Sequence, residues 1–412
     1  MPRRPKFDRV LLFAVLAIVL IGVVMITSIG VPKSIALSAP DVAYPDCSDK
    51  AVDCYLVLKR HLYRVVLGLG AMLIGWKMHF KFWKNFSIVM YIGGLTLLIV
   101  LFVIGQANNT FATSWLQVSF LPRVYSLQPS ELAKFGLVLY LSYFFAEKMT
   151  AQKMEDAREG FVKFCLISGL IILPIALQPD FGSAMIVAIM AVVIYFLAGA
   201  PVRHMAVGAL IVFVLAIGFY KFSSRVAERV GSFVAPTSEC AEDACWQTRQ
   251  ANIAIGSGGA WGKGLTQGIQ KSYWLPQAID DFIFAASAEE LGFFRTVVIV
   301  LLYAVIAYRG FWIANHAPSK FAMLVAAGLT TWISGQAFVN IMVNTALFPI
   351  TGITLPFMSY GGSSMVTSLL AMGVLLNISK FTTDNAYYSD RRRNGGTHSS
   401  QYRYGESYRA GY

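Results

Sequence analysis

The chain has 412 residues, 56% of them hydrophobic and only 14% charged, with a formal net charge of +12 at pH 7. Soluble domains carry roughly a quarter charged residues, so this composition excludes an ordinary soluble globular protein. Membrane topology and an anionic inner leaflet account for the basic excess without nucleic acid.

Residues 10–30 (VLLFAVLAIVLIGVVMITSIG) hold no charged side chain. At 1.5 Å rise per residue, such a helix crosses a hydrocarbon core of about 30 Å. The block is too long for a signal-peptide h-region and lacks a small-x-small cleavage site before a polar mature segment, so it reads as a retained anchor. Similar blocks near 62–76, 86–105, 131–146, 161–177, 183–200, 205–222, 293–308, 321–343 and 362–379 bring the expected spans to ten. The expected fold is all-α: a polytopic membrane domain over 1–380 with a large extracytoplasmic loop at about 223–292. Residues 381–412 have almost no aliphatic side chains and read as a disordered cytoplasmic tail.

Lys and Arg in short loops set the orientation. A cytoplasmic N-terminus places Arg3, Arg4, Lys6 and Arg9 inside, together with Lys77, Lys81, Lys84, Lys148, Lys153 and Arg158. An even number of spans returns the C-terminus, with Arg391, Arg392 and Arg393, to the same side. Cys47 with Cys54, and Cys240 with Cys245, then fall outside. Disulfides persist on that side, so these are two candidate pairs, with unrelated thiols as the other reading.

Four motifs carry polar chemistry. In QPSELAKFGLVLYL (128–141), Glu131 and Lys134 share a helix face. They form either a local ion pair or, since intramembrane lysines face the bundle interior, a site for an anionic phosphate. QPDFGS (178–183), with Gln178, sets Asp180 between two apolar runs, either as a turn acid or as a ligand for cations or polar substrate. GSGGAWGKG (256–264) fails the phosphate-loop frame, because Ser257 and Gly264 stand where Gly and Ser or Thr are required. Its glycines suit a tight re-entrant backbone or backbone N–H groups approaching a phosphate-bearing lipid. LPFMSYGGSSM (355–365) gathers Ser359, Tyr360, Ser363 and Ser364 at the entry to the last span, where small residues also let helices pack closely. With five histidines and no HExxH or paired CxxC, a protein-built zinc site is not expected.

LPQAIDDFIFAASAEELGFF (275–294) gathers Asp280, Asp281, Glu289 and Glu290 in a chain poor in charge. Asp281 precedes an apolar run, so the loop is expected to dip toward the bilayer there. Partial desolvation then raises its pKa and makes it a base usable near neutral pH. If the stretch is helical, Glu289 lies roughly 80° around from Asp281 and Glu290 lies opposite. Asp280 is expected to be a solvated neighbour.

In this order, QPSELAK, QPDFGS, WGKGLTQGIQKSYWLPQAIDDFIFAASAEELGF and ITLPFMSYGGSSM resemble the SEDS family (shape, elongation, division and sporulation), the FtsW/RodA-like proteins of bacterial cell-wall synthesis. The division-type members are the slightly closer match. The resemblance covers nearly the whole chain except the tail. It departs at NNTFATSWLQ (108–117), where a Gly-Ala-x-x-Trp-like motif is usual, and in the Cys-bearing first outside loop.

The resemblance implies a peptidoglycan glycosyltransferase of the bacterial cytoplasmic (inner) membrane, polymerising lipid II at the outer face. Its catalytic aspartate matches Asp281. The family's E-L-A-K pair matches Glu131 and Lys134, and its Q-P-D acid matches Asp180. The candidate substrate-binding set adds Gln178, Arg229, Lys263, Gln270, Lys271, Glu289, Ser363 and Ser364. Of these, Lys134, Arg229, Lys263 and Lys271 are the cations available to a leaving diphosphate, with Mg²⁺ or Mn²⁺ as a further source of charge and no nucleotide. The implied partners are a class B penicillin-binding protein transpeptidase and other divisome or elongasome membrane proteins. The alternatives are a lipid II flippase and a non-catalytic scaffold for such a transpeptidase.

Overall fold

The computed structural model describes residues 7–39, 47–49, 52–107, 116–120, 123–222, 230–231, 233 and 242–382. Arg229, Cys240, the 108–115 part of NNTFATSWLQ and all but the first two residues of the tail lie outside this set. Each expected apolar block is helical. The helices are α1 (Arg9–Ile29), α2 (Val31–Ser38), α3 (Leu56–Lys77), α4 (Phe80–Ala107), α5 (Pro129–Tyr143), α6 (Ala151–Glu155), α7 (Lys163–Leu177), α8 (Phe181–Leu197), α9 (Val202–Phe222), α10 (Glu242–Gly258), α11 (Ile283–Asn315), α12 (Lys320–Asn344) and α13 (Gly362–Ser379). A hairpin precedes α5, its antiparallel strands β1 (Leu116–Phe120) and β2 (Arg123–Leu127) running in register from Leu116 opposite Leu127 to Phe120 opposite Arg123.

Among the described residues, six helices are long and apolar enough to cross a membrane, and Phe181–Leu197 and Val202–Val214 are shorter apolar helices. The two remaining expected spans lie in α3, which carries Lys59, Arg60, Arg64 and Lys77, and in α5, only 15 residues long. α12 and α13 form the centre: 83% and 89% of their apolar windows are buried, against 44% in α1. On the outside, Leu166, Leu170, Leu173 and Leu177 of α7 form an exposed stripe at helical spacing. Such a stripe is at home in lipid and not in water.

Polar ties fasten the helix ends. Asp8 caps α1 by accepting from the Leu11 N–H at 3.0 Å, and it also receives Arg309 of α11 at 2.6 Å. Its own N–H donates to Ser379 Oγ at the end of α13. A disulfide joins Cys47 to Cys54 ahead of α3, with a Cα–Cα distance of 5.8 Å. Cys245 is also disulfide-bonded. Cys165 is free and exposed on α7.

The glycine-rich loop has a structural job. α11 is broken at Gly292, which has φ 78° and ψ 175°. The loop 259–264 crosses that break backbone to backbone: the N–H groups of Lys263 and Gly264 donate to the Glu289 and Glu290 carbonyls at 3.0 and 3.1 Å. In return, the Phe293 and Phe294 N–H groups donate to Gly259 and Ala260. These backbone N–H groups are therefore used on the helix and do not face a lipid phosphate. The crossing requires glycine on both sides. A Cβ at Gly292 would stand 2.1 Å from Gly262 N, and one at Gly262 would stand 2.2 Å from the Glu290 carbonyl oxygen.

Gly292→Ala is therefore expected to cost at least about 2 kcal/mol, from backbone strain and a contact that cannot relax. Gly70→Ala is the control, since a Cβ there meets nothing within 4 Å. Thermal melts of the detergent-purified variants check this. A melting temperature for Gly292→Ala equal to that of Gly70→Ala would disprove the crossing as a constraint.

Candidate active site at Asp281

The peptide around Asp281 is fixed from two directions. Ser359 Oγ donates to the Asp280 carbonyl, and the Tyr360 N–H donates to the Ile279 carbonyl at 2.9 Å. From α12, Asn340 and Asn344 both donate to the Asp281 carbonyl, at 2.8 and 2.9 Å. Three successive carbonyls are thus held, two by the SYGG turn and one by a pair of amides a helical turn apart. Asn344 Oδ1 also receives the Ala285 N–H at the start of α11, and Asn340 reaches the Ile353 carbonyl. Phe282 and Ile283, fully buried, anchor the next step of the chain.

Asp281 itself is half-buried and lines a cavity of about 360 Å³ with Lys33, Arg64, Asp280, Thr354 and Tyr360. Gly352, at φ 73°, faces its carboxylate; a Cβ there would stand 3.9 Å from Asp281 Oδ2. Asp280 departs from the expected solvated neighbour. It bonds Lys33 of α2 at 2.8 Å, with only 23% of its side chain exposed. Burial pushes its carboxyl above the ordinary value, against the opposing pull of Lys33 and Arg64. The physical reason is the turn at Gly30, where the chain leaves α1 and starts the short α2 over this site.

A second cavity of about 160 Å³ adjoins the first at Gly352 and Thr354. Gln128, Glu131, Asp180, Gln336 and Thr351 are among the residues that line it. Lys134 is fully buried and paired to Glu131 Oε1 at 2.6 Å, which is the local ion pair of the first reading. Lys134 also donates to Gln336 Oε1 at 2.9 Å, and Gln336 passes the network to the Thr354 carbonyl at 3.0 Å. Glu131 Oε2 is buried with no hydrogen-bond partner. Asp180 caps α8 through the Ser183 N–H and accepts from the Gln128 side chain at 3.4 Å. Ser363 and Ser364 border this region by accepting from the Gln128 N–H and from Thr354 Oγ1. Gln178 points elsewhere, donating to the Leu98 carbonyl of α4.

The glutamates and loop lysines hold each other. Glu289, buried, accepts from Lys263 at 2.7 Å and from the Ile269 and Gln270 N–H groups at 3.0 Å. Glu290, also buried, accepts from Lys271 and from Ser28 Oγ of α1, each at 2.6 Å. Because α11 begins at Ile283, Asp281 is not on the same helix as the glutamates, and the angular relation read from the sequence does not apply. Lys263 and Lys271 are committed to these pairs and do not line the Asp281 cavity. The cations that do line it, Lys33 of α2 and Arg64 of α3, belong to no motif.

A Mg²⁺ or Mn²⁺ site needs about six oxygens, normally with more than one carboxylate. Among the described residues there is no group of three or more His, Cys, Asp or Glu able to hold a metal. Glu131 and Asp180 are two carboxylates facing one cavity, so they fit such an ion only in part.

Truncating Glu289 leaves two backbone N–H groups and a lysine without an acceptor, so Glu289→Ala is expected to cost about 3 kcal/mol or more. Lys263→Ala, by contrast, leaves Glu289 still bonded to both N–H groups and should cost about 1 kcal/mol. Chemical or thermal unfolding in detergent ranks the two; the reverse order would show that the backbone bonds contribute little.

The family model described as cell cycle protein (FtsW, RodA and SpoVE) matches residues 8–384. A probable peptidoglycan glycosyltransferase FtsW from Geobacter sp. (strain M18) is 34% identical over 364 residues, covering 88% of this chain and 96% of that one. Stage V sporulation protein E from Bacillus subtilis is 35% identical over 332 residues, covering 80% and 88%. Among solved structures, a chain from a study of polymerization and crosslinking by a peptidoglycan synthase complex is 25% identical, with a TM-score of 0.70 over 92% of this chain and 98% of that one. By this family match and these relatives, the chain belongs to the FtsW/RodA/SpoVE family of cell cycle proteins, the SEDS family, and its apolar helices make it a multi-pass bacterial membrane protein.

Proposed function

We propose that this chain is a peptidoglycan glycosyltransferase that polymerises lipid II, a disaccharide-pentapeptide carried on a polyprenyl diphosphate, in division or cell-shape maintenance. The observation that carries the reading is the carboxylate of Asp281. It is presented from a rigid backbone into a polar cavity, in a chain whose outer helices are apolar and exposed. The Geobacter relatives, probable peptidoglycan glycosyltransferases, support the same activity.

In this reading Asp281 accepts the proton of the acceptor sugar's hydroxyl as its oxygen attacks the anomeric carbon of the donor chain. The polyprenyl diphosphate leaves from the opposite face, so the centre inverts. A positioned base of this kind contributes about 10²- to 10⁴-fold, and inverting glycosidases place a carboxylate by the same logic. The fixed carbonyls of residues 279–281 supply the positioning, because a base must come within hydrogen-bond reach of the proton it takes. The second cavity, lined by Glu131, Asp180 and Gln336 with Lys134 bonded behind Glu131 and Gln336, is the place for further polar groups of the substrate. It is also where Mg²⁺ or Mn²⁺ would sit, although no step here is routed through an ion.

In this reading the loop lysines and arginines keep both termini on the cytoplasmic side, which puts Asp281 and the disulfide outside, where lipid-linked substrate is displayed. A class B penicillin-binding protein transpeptidase is the proposed partner; the likeness to a chain of a peptidoglycan synthase complex supports it.

The test is polymerisation of lipid II by the purified full chain, alone and with the candidate transpeptidase. Wild type should yield glycan strands, and Asp281→Asn should lose at least about 100-fold in rate with an unchanged melting temperature. Strand synthesis by Asp281→Asn at the wild-type rate would remove Asp281 from its role. A chain that moves lipid II across liposomes and never lengthens glycan would establish the flippase alternative.

A further inference from the structure

No sequence motif points to Arg64, yet it is built into the wall of the Asp281 cavity. Its guanidinium lies 4.2 Å from the centroid of the Tyr360 ring, and Nη1 donates to the Tyr360 carbonyl at 3.2 Å. The space it occupies is kept by Gly362, where a Cβ would come within 2.9 Å of Arg64 Nε. The planar fork is therefore fixed by a stacked ring, a carbonyl and a missing side chain. Among the described residues it has no ion pair, and the Tyr360 carbonyl uses only one of the five N–H donors of a guanidinium. Lys33, on the same wall, is paired with Asp280.

We propose that Arg64, with Lys33 beside it, forms a diphosphate-binding subsite of the Asp281 cavity. This rests on the glycosyl-transfer reading above and assigns that site its anion-binding side chains. A guanidinium offers parallel N–H groups that match two phosphate oxygens, and its stacked position leaves little freedom to lose on binding.

The charge balance of the cavity favours the direction of the reaction. At rest it holds two cations, Lys33 and Arg64, and two carboxylates, Asp280 and Asp281. As the acceptor hydroxyl gives its proton to Asp281, its oxygen bonds to the anomeric carbon. The bond from that carbon to the phosphate oxygen breaks, and its electron pair goes to the diphosphate. Two cations then face one carboxylate, at the moment the leaving group gains charge. The attraction is stronger in the transition state than in the ground state, which is the condition for it to speed the step.

Binding of farnesyl diphosphate, farnesyl monophosphate and farnesol to the full chain in detergent, followed by tryptophan fluorescence, tests this directly. Wild type should prefer the diphosphate. Arg64→Gln should bind it about 10- to 100-fold more weakly and bind farnesol unchanged. If Arg64→Gln does not fold, Arg64→Lys decides: keeping the charge without the fork, it should lose the preference for diphosphate over monophosphate. Undiminished diphosphate affinity in folded Arg64→Gln, or undiminished preference in Arg64→Lys, overturns the subsite. A polymerisation assay with an acceptor glycan lacking diphosphate separates two sources. A persisting Arg64→Gln defect assigns the subsite to the donor's leaving group, and a vanished one to the acceptor's anchor. Full polymerase activity of Asp281→Asn would defeat the proposed function and leave these binding results standing.

Discussion

The carbonyl oxygen of Asp281 is the point on which the site depends. It accepts from two buried amides, Asn340 and Asn344, which stand four residues apart on one of the two most buried helices. Amides inside an apolar helix are costly unless their donors and acceptors are met. Here each is met: Asn340 also reaches the Ile353 carbonyl, and Asn344 also takes the Ala285 N–H. The same two side chains therefore tie α12 to the end of the loop before α11, to the start of α11 and to the stretch of chain before the SYGG turn. A carboxylate carried on a surface loop would sample many positions. Held this way, it inherits the rigidity of the bundle's centre.

The four clustered acids raise the question of how so much negative charge is tolerated beside a lipid phase. They are tolerated for different reasons. Glu289 and Glu290 are buried, and each has a lysine and further donors, so they act as internal staples that pull the 263–271 segment and α1 onto α11. Asp280 has Lys33. Asp281, half-buried, lines the larger cavity together with that pair. Buried charges that are fully bonded fix structure, whereas a carboxylate presented to a cavity is placed for chemistry.

Much of the fold was legible because hydrocarbon thickness imposes a length on apolar blocks, and each block expected from 10–30 to 362–379 lies in a helix. Glu131 and Lys134 were legible as a pair because i, i+3 spacing places them on one face. Asp281 was legible because an acid before FIFAA is unusual. The ion-pair partners of Glu289 and Glu290 were not, because no spacing rule connects residue 263 or 271 to 289 or 290 across a loop that folds back over a helix break. The acidic stretch was read as loop, yet Ile283 to Leu291 forms the first turns of α11, since the break at Gly292 separates it from the apolar run. Lys33 and Arg64 were hidden for a similar reason: they reach the site only through the turn at Gly30 and the packing of α3 against α13. The NIMVN pair of asparagines did offer a signal, as two amides one turn apart in an apolar span have to be bonded to something.

That pattern bears on how a site of this kind divides its labour. The Asp281 carboxylate and its backbone supports come from α12 and from the loops before α11 and α13, next to the most buried part of the chain. The cations that face it come from α2 and α3. The Val57 N–H donates to Ser34 Oγ at 3.1 Å and the Asp53 N–H to Ser38 Oγ at 3.0 Å, so α2 is tied to the start of α3. These bonds hold the two helices together without using any residue of the cavity itself. The position of Asp281 is set by the core and charge is supplied from α2 and α3, so the electrostatics of the cavity can vary with those two helices while the geometry of the carboxylate stays fixed.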